Sequence, residues 1–300
     1  MKKLILLAAL LSSALFAKVN AVASIVPEAT FVKAIGGDLV DVTAMVLPGN
    51  SPHSYEPKPS QMKDVSKADL YFPMDVEFEK AWLPKFKAQN SKMEIVDTLK
   101  GIKKIAMAAH HHHDEHAEHE EHKEGADHDE HEHEGHHHDG GLDPHVWVSP
   151  VNVKVIAKNI YEALVKVDPK NEATYKKNYE NFLKKIDETD AKIKETLSGL
   201  KQGTAFIIFH PAFGYFAKEY NLKQVPIEVE GKEPKPKELA YLMDKAKEEG
   251  ARAIFAEPEF SDKSAQLIAK ELNIPVIKIS PMAENWSENL INFAKAIAHK

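Results

Sequence analysis

The 300-residue chain contains no cysteine. That removes disulfides from the fold and thiolates from any metal site, and it removes the residue on which an exported protein would carry a lipid anchor. Any metal affinity must then come from histidine, carboxylate and water. No stripe of basic residues offers a footprint for nucleic acid, and the formal net charge is −7. Beyond the first residues no apolar run reaches the ~20 positions that span a bilayer. The N-terminus reads as a secretory signal: Lys2 and Lys3 precede a short apolar stretch, Leu4 to Leu11, then small residues with a cut expected after Ala17. The other reading, a membrane anchor, needs a longer stretch than this one. The expectation is a free, soluble periplasmic protein.

What is present is heavily biased in one place. Residues 110 to 139 hold 13 histidines and 12 Asp or Glu, with Lys123 as the only basic residue. Such a run is too polar to bury a core and is expected to form a mobile loop. Imidazoles and carboxylates bind cations, but a mobile run cannot hold one ion in one geometry. The alternative is a solvated charge run. A purification tag fits poorly, since the run is internal and mixed with acids. An ordered site, if there is one, lies elsewhere.

The rest of the chain alternates. Stretches at 18–26, which alternates and is rich in Val, and at 39–46, 68–73 and 93–97 read as strands, with helices at 27–35, 59–67 and 77–89 between them and another at 150–167. From Asp168, a good N-cap followed by Pro169, to Leu200 the chain is free of Pro and Gly except for Pro169 and Gly199. Tyr175, Tyr179, Phe182, Ile186, Ile193, Leu197 and Leu200 fall on one helical face. The spacing predicts one long helix, read as a strut between two lobes; a coiled coil with another chain is the alternative. Strands at 205–209, 222–229, 252–256 and 274–279 then alternate with helices at 212–220, 237–249, 262–272 and 284–298. Alternation of this kind implies βαβ units and parallel sheets. The expected organisation is a signal peptide at 1–17, an N-terminal α/β lobe at 18–167, a linking helix at 168–200 and a C-terminal α/β lobe at 201–300.

Only four histidines lie outside the biased run: His53, His145, His210 and His299. His299 sits beside the C-terminus and reads as solvated. The other three each stand where an element ends and a loop begins, and in open α/β sheets ligands bind beyond the carboxyl ends of strands. Singly each could be a structural histidine; together, in a chain without cysteine, they point to a metal in a cleft. Three imidazoles suit zinc, with copper or nickel competing on affinity alone. Three histidines with an open position also describe a catalytic zinc, with Glu56, Glu228, Glu230 or Glu257 as a base. No H-E-x-x-H on a predicted helix supports that enzyme reading.

Three segments carry a resemblance: G-N-S-P-H-S-Y-E-P-K-P-S at 49–60, L-D-P-H-V-W-V-S-P at 142–150 and F-H-P-A-F-G-Y-F-A at 209–217. Taken together and in order, they resemble the histidine motifs of the periplasmic metal-binding proteins of ABC importers with a rigid linking helix, closest to the zinc-uptake (ZnuA-like) type. The similarity covers essentially all of the chain after the signal. It implies two four-stranded α/β lobes, Zn2+ in the interlobe cleft bound by His53, His145 and His210, and delivery to a membrane permease by a monomeric carrier, not an enzyme. Manganese members of the family replace one histidine with carboxylate, so three histidines argue against manganese. A periplasmic zinc buffer without a transporter is the alternative role. Two positions depart from the pattern: Pro52 stands where many zinc members have glutamate, and Ser280 where many members have aspartate. The fourth coordination position is therefore expected to be water, with Glu257 as the carboxylate alternative and Glu56 as a residue that orients a ligand histidine. Because ligation needs neutral imidazole, affinity is expected to fall below roughly pH 6.

Overall fold

A computed structural model of the chain describes residues 18–107, 141–228, 232–251 and 253–298. The expected signal at 1–17, the histidine-rich run at 110–139, Glu230 and His299 lie outside the described residues.

The first sheet contains β1 (Val19–Ile25), β2 (Val40–Val46), β3 (Leu70–Phe72) and β4 (Glu94–Ile95), in the order β2-β1-β3-β4. Every pairing is parallel. The connections are α1 (Val26–Gly36), α2 (Pro59–Lys67) and α3 (Glu77–Gln89). β1 is an interior strand and is buried except at Asn20, as expected of a parallel strand covered on both faces. Pro27 opens α1, and Gly37, at a φ of 57°, ends it in a backbone conformation that side chains rarely adopt.

The chain then leaves this sheet through α4 (Pro150–Val167) and α5 (Glu172–Leu197). The second sheet repeats the first: β5 (Ala205–Ile208), β6 (Lys223–Pro226), β7 (Ile254–Ala256) and β8 (Val276–Lys278), all parallel, in the order β6-β5-β7-β8. Its helices are α6 (Gly214–Glu219), α7 (Pro236–Glu248), α8 (Lys263–Leu272) and α9 (Trp286–Ala298). The protein is thus two α/β lobes of the same strand order with a long helix between them.

That helix differs from the expectation at its start. Pro169–Asn171 form a 3-10 turn and α5 begins at Glu172, so its 26 residues span about 39 Å, at 1.5 Å each, instead of the ~50 Å expected. Asp168 does not cap the helix backbone. Its carboxylate accepts instead from Asn171 Nδ2 at 2.6 Å and from the buried Tyr175 hydroxyl at 2.8 Å. Nor does α5 stand alone as a strut. Its apolar stripe, Tyr175, Phe182, Ile186, Ile193 and Leu197, is buried, and the helix packs against α1, α4 and α9.

The last helix joins the lobes from the other side. Phe293 of α9 sits among Phe206, Phe213, Phe216 and Phe255 of the second lobe, at ring-centroid distances of 4.3 to 5.2 Å. Trp286, at the start of α9, meets Phe31 of α1 edge-on at 5.6 Å. One apolar cluster therefore runs from Val22 and Phe72 of the first sheet through α5 and α9 to Phe206 and Phe255 of the second. A smaller cluster under α7 and α8 covers the other face of the second sheet. Among the described residues no helix is long and apolar enough to cross a membrane.

Candidate metal centre

His53 lies in the loop between β2 and α2. The loop is pinned on both sides of it: Phe78 N donates to Pro52 O at 3.2 Å, and the buried Tyr55 donates to Gln61 Oε1 at 2.6 Å while packing against Phe78. His145 opens the short 3-10 turn Val146–Val148. It is buried, and Asp143 Oδ1 accepts from both its backbone N–H and its ring Nδ1, each at 2.8 Å. Asp143 is itself fixed, since its N–H donates to Ile105 O at 2.8 Å and its carbonyl accepts from Tyr215 Oη at 2.8 Å. The residue before Tyr215, Gly214, stands so close that a Cβ there would lie 2.6 Å from Asp143 Oδ2. Only glycine lets the second lobe approach the carboxylate this closely.

His210 follows β5 directly and is buried. Its Nδ1 donates to Glu228 Oε1 at 3.0 Å, and its backbone N–H to Glu257 Oε2 at 3.3 Å. Its ring stacks on Phe260 at 4.8 Å. His210, Glu228 and Glu257 follow β5, β6 and β7, so three neighbouring parallel strands deliver them to one rim of the sheet.

The three rings meet in the cleft. His53 Nε2 lies 3.1 Å from His210 Nε2, and His210 Nε2 lies 3.3 Å from His145 Nε2. One nitrogen from each ring falls within 4.8 Å of the other two. Four ligands at Zn–N bonds of about 2.0–2.1 Å would stand roughly 3.3 Å apart, so the spacing suits a tetrahedral ion. The tautomers follow from the carboxylates. Nδ1 of His145 and of His210 each donates to an acceptor, so each Nε2 turns a lone pair inward. Two lone pairs facing one another at 3.3 Å repel, and a cation beside them removes the repulsion.

The electrostatics agree. Burial, then the neighbouring rings of His210 and His145, pushes the His53 imidazole down from 6.5 to about 3. Burial also lowers His210, against the opposing pull of Glu228. The expectation of a steep loss of affinity below roughly pH 6 took the imidazoles as unperturbed. For these two the fold has already excluded the proton, so the fall is displaced to lower pH.

The carboxylates are placed less as expected. Glu56 is exposed and lines no part of the cleft pocket. Glu257 is buried, and desolvation raises it well above the ordinary carboxylate range; it backs the His210 amide and is likewise absent from the pocket lining. The carboxylates that hold the histidine rings are Asp143 and Glu228. Asp143 was readable in L-D-P-H, two positions before the histidine. Glu228 had been considered only as a base, because its partner lies 18 positions away across two strands. Around the histidines the pocket is lined by Pro52, Trp147, Glu259, Phe260, Pro281 and Met282.

Residues 21–300 match the family described as zinc-uptake complex component A, periplasmic (ZnuA). A zinc-binding protein AdcA of Streptococcus pyogenes serotype M3 is 33% identical over 299 residues, which cover 94% of this chain and 56% of that protein. The chain thus spans about half the length of the first curated relatives it matches. The high-affinity zinc uptake system protein ZnuA of Bacillus subtilis is 34% identical over 259 residues, 85% of this chain and 76% of that one. A crystal structure of a ZnuA superposes with a TM-score of 0.80 at 37% identity, covering 94% of this chain and 98% of the other. With its paired lobes, its linking helix and its three converging imidazoles, the chain belongs to the ZnuA family of periplasmic zinc-uptake components.

Proposed function

We propose that the protein captures Zn2+ in the interlobe cleft through Nε2 of His53, His145 and His210 and delivers it to the membrane permease of an ABC importer. The observation that carries this reading is the convergence of three nitrogens, two of them turned inward by carboxylates on the far side of their rings. The names of the relatives, a zinc-binding protein and a zinc uptake protein, point to the same cargo. The division into an exported signal at 1–17, lobes at 18–167 and 201–300 and a linking helix at 168–200 belongs to this reading, as do periplasmic residence and a monomeric carrier. So does a role for the run at 110–139 as a capture segment: its many weak sites raise the local concentration of zinc at the cleft.

The test is competition for Zn2+ against a chelator of known affinity. His53→Ala, His145→Ala and His210→Ala should each weaken the tightest site by orders of magnitude while leaving the circular dichroism spectrum unchanged. An unchanged affinity in one variant removes that residue from the site. Loss of growth at low zinc when the gene is deleted supports import, whereas unimpaired growth favours a zinc buffer. Hydrolysis of an activated ester by the zinc-loaded protein, abolished in His145→Ala, would mean an enzyme instead.

A further inference from the structure

Among the described residues, the pocket shared by the three histidines has one carboxylate on its wall, and it is Glu259. Glu259 follows β7 in the loop that also carries Phe260, the residue stacked on His210. Its two oxygens differ. Oε1 accepts a hydrogen bond of 2.6 Å from Ser280 Oγ, whose own orientation is set by the Met282 N–H donating to it at 3.0 Å. Oε2 is buried and has no protein partner. A buried carboxylate oxygen without a donor is costly, because it gives up water and receives nothing in return. The close set of potential ligands among the described residues contains only the histidines. Glu259 therefore lines the pocket without joining the close group of nitrogens.

We propose that Glu259 completes the site from behind: its Oε2 accepts a hydrogen bond from a water occupying the fourth coordination position of the bound Zn2+, with Ser280 holding the carboxylate in place. This rests on the three-histidine reading above and extends it. Three neutral imidazoles and water leave the ion at +2 in a buried cleft, and Glu259 brings a compensating carboxylate to the pocket wall. Ser280 keeps a part in the site without touching the metal, as the clamp on the residue that does the compensating. Glu257 has no such role, since it does not line the pocket and its Oε2 accepts from the His210 amide.

The proposal separates from simple structural support through the ionisation of that water. An adjacent carboxylate stabilises the neutral water over hydroxide, so removing its charge makes the water more acidic. The experiment loads the full chain with one equivalent of Co2+, so that the tightest site is filled first, and follows the visible d–d absorption from pH 6 to 10. The wild type should show one ionisation. In Glu259→Gln it should move to lower pH, and Zn2+ affinity measured by chelator competition should fall by about 10- to 100-fold, the usual range for partners that orient a metal ligand. Ser280→Ala should move both quantities in the same direction and by less. An unchanged ionisation together with unchanged affinity in Glu259→Gln overturns the proposal. A wild type without an ionisable ligand, which gains one in Glu259→Gln, overturns it in a different way, because Glu259 would then bind the metal directly. His145→Ala, run in parallel, shows whether the cleft binds the ion at all; if it leaves the Co2+ spectrum unaltered, the three-histidine reading has failed and not the role of Glu259.

Discussion

Each of the buried ring nitrogens of His145 and His210 is governed by an acid that no periodicity announces. Glu228→Gln keeps the shape beside His210 but removes the charge that favours Nδ1–H, so we expect Zn2+ affinity to fall by about tenfold. Chelator competition measures it, and an unchanged value would mean that Glu228 merely fills space. The imidazoles themselves predict a pH effect on the metal-free fold. His53 is pushed to about 3 and His210 is lowered, so the unfolded chain takes up these protons near 6.5 while the folded one does not. Their contribution to stability is complete above about pH 6.5 and is lost as pH falls toward the folded values. Glu28 and Glu79 act in the opposite sense. Both are buried beside Ser24 and Tyr71, and burial raises Glu28 well above the usual range and Glu79 to about 7. Their protonated forms favour the fold as pH falls through 7. The histidine part is therefore read as a difference: urea midpoints between pH 7 and pH 4 should fall more steeply for the wild type than for His53→Gln. Equal slopes would show that His53 is accessible to protons in the folded state. Sequence singled out the three histidines, because each stands in or beside a loop, and L-D-P-H holds Asp143 two positions from His145. It could not place Glu228 and Glu259, whose partners lie 18 and 21 positions away and are brought close by tertiary packing.

At the level of elements the sequence was easy to read. The alternation of strand-like runs with Pro-opened helices located α2, α3 and α4 to the residue and the other elements to within a few positions at their ends. The linking helix was the exception, shortened at its start because Tyr175 and Asn171 claim the Asp168 carboxylate. What periodicity could not reveal was which helix each stripe faces. The stripe on α5 reads as a strut between lobes, with a coiled coil as the alternative, and it is in fact buried against α1, α4 and α9 of the same chain. α9 is the least obvious of these partners and the most consequential. Phe293 touches four other phenylalanines, so Phe293→Ala should cost about 3–5 kcal/mol by opening a cavity that the surrounding rings cannot fill. Chemical denaturation measures it, and a loss below about 1 kcal/mol would mean that the cluster collapses freely around the gap.

On the scale of the molecule the lobes are bonded to one another, not merely linked. Trp147, two residues after His145, donates to Pro281 O at 2.8 Å, and Trp286 donates to Trp147 O at 2.6 Å. Tyr215 accepts from Ile105 N and donates to Asp143 O. With two helices and a common core also crossing the divide, uptake of Zn2+ should proceed by small tilts and loop adjustments, not by wide opening. Small-angle scattering of metal-free and zinc-loaded protein should give radii of gyration that agree within error; a clear contraction on loading would contradict this. The apolar cluster that runs from β1 to Phe255 carries a further consequence, which concerns how the protein is made. The larger of the two clusters is not closed until α9 is in place, because Phe293 and Trp286 pack into it from the second side. During synthesis, nearly the whole chain must emerge before the histidines from the two lobes can be held together. A partly synthesised chain therefore has no complete three-histidine cluster.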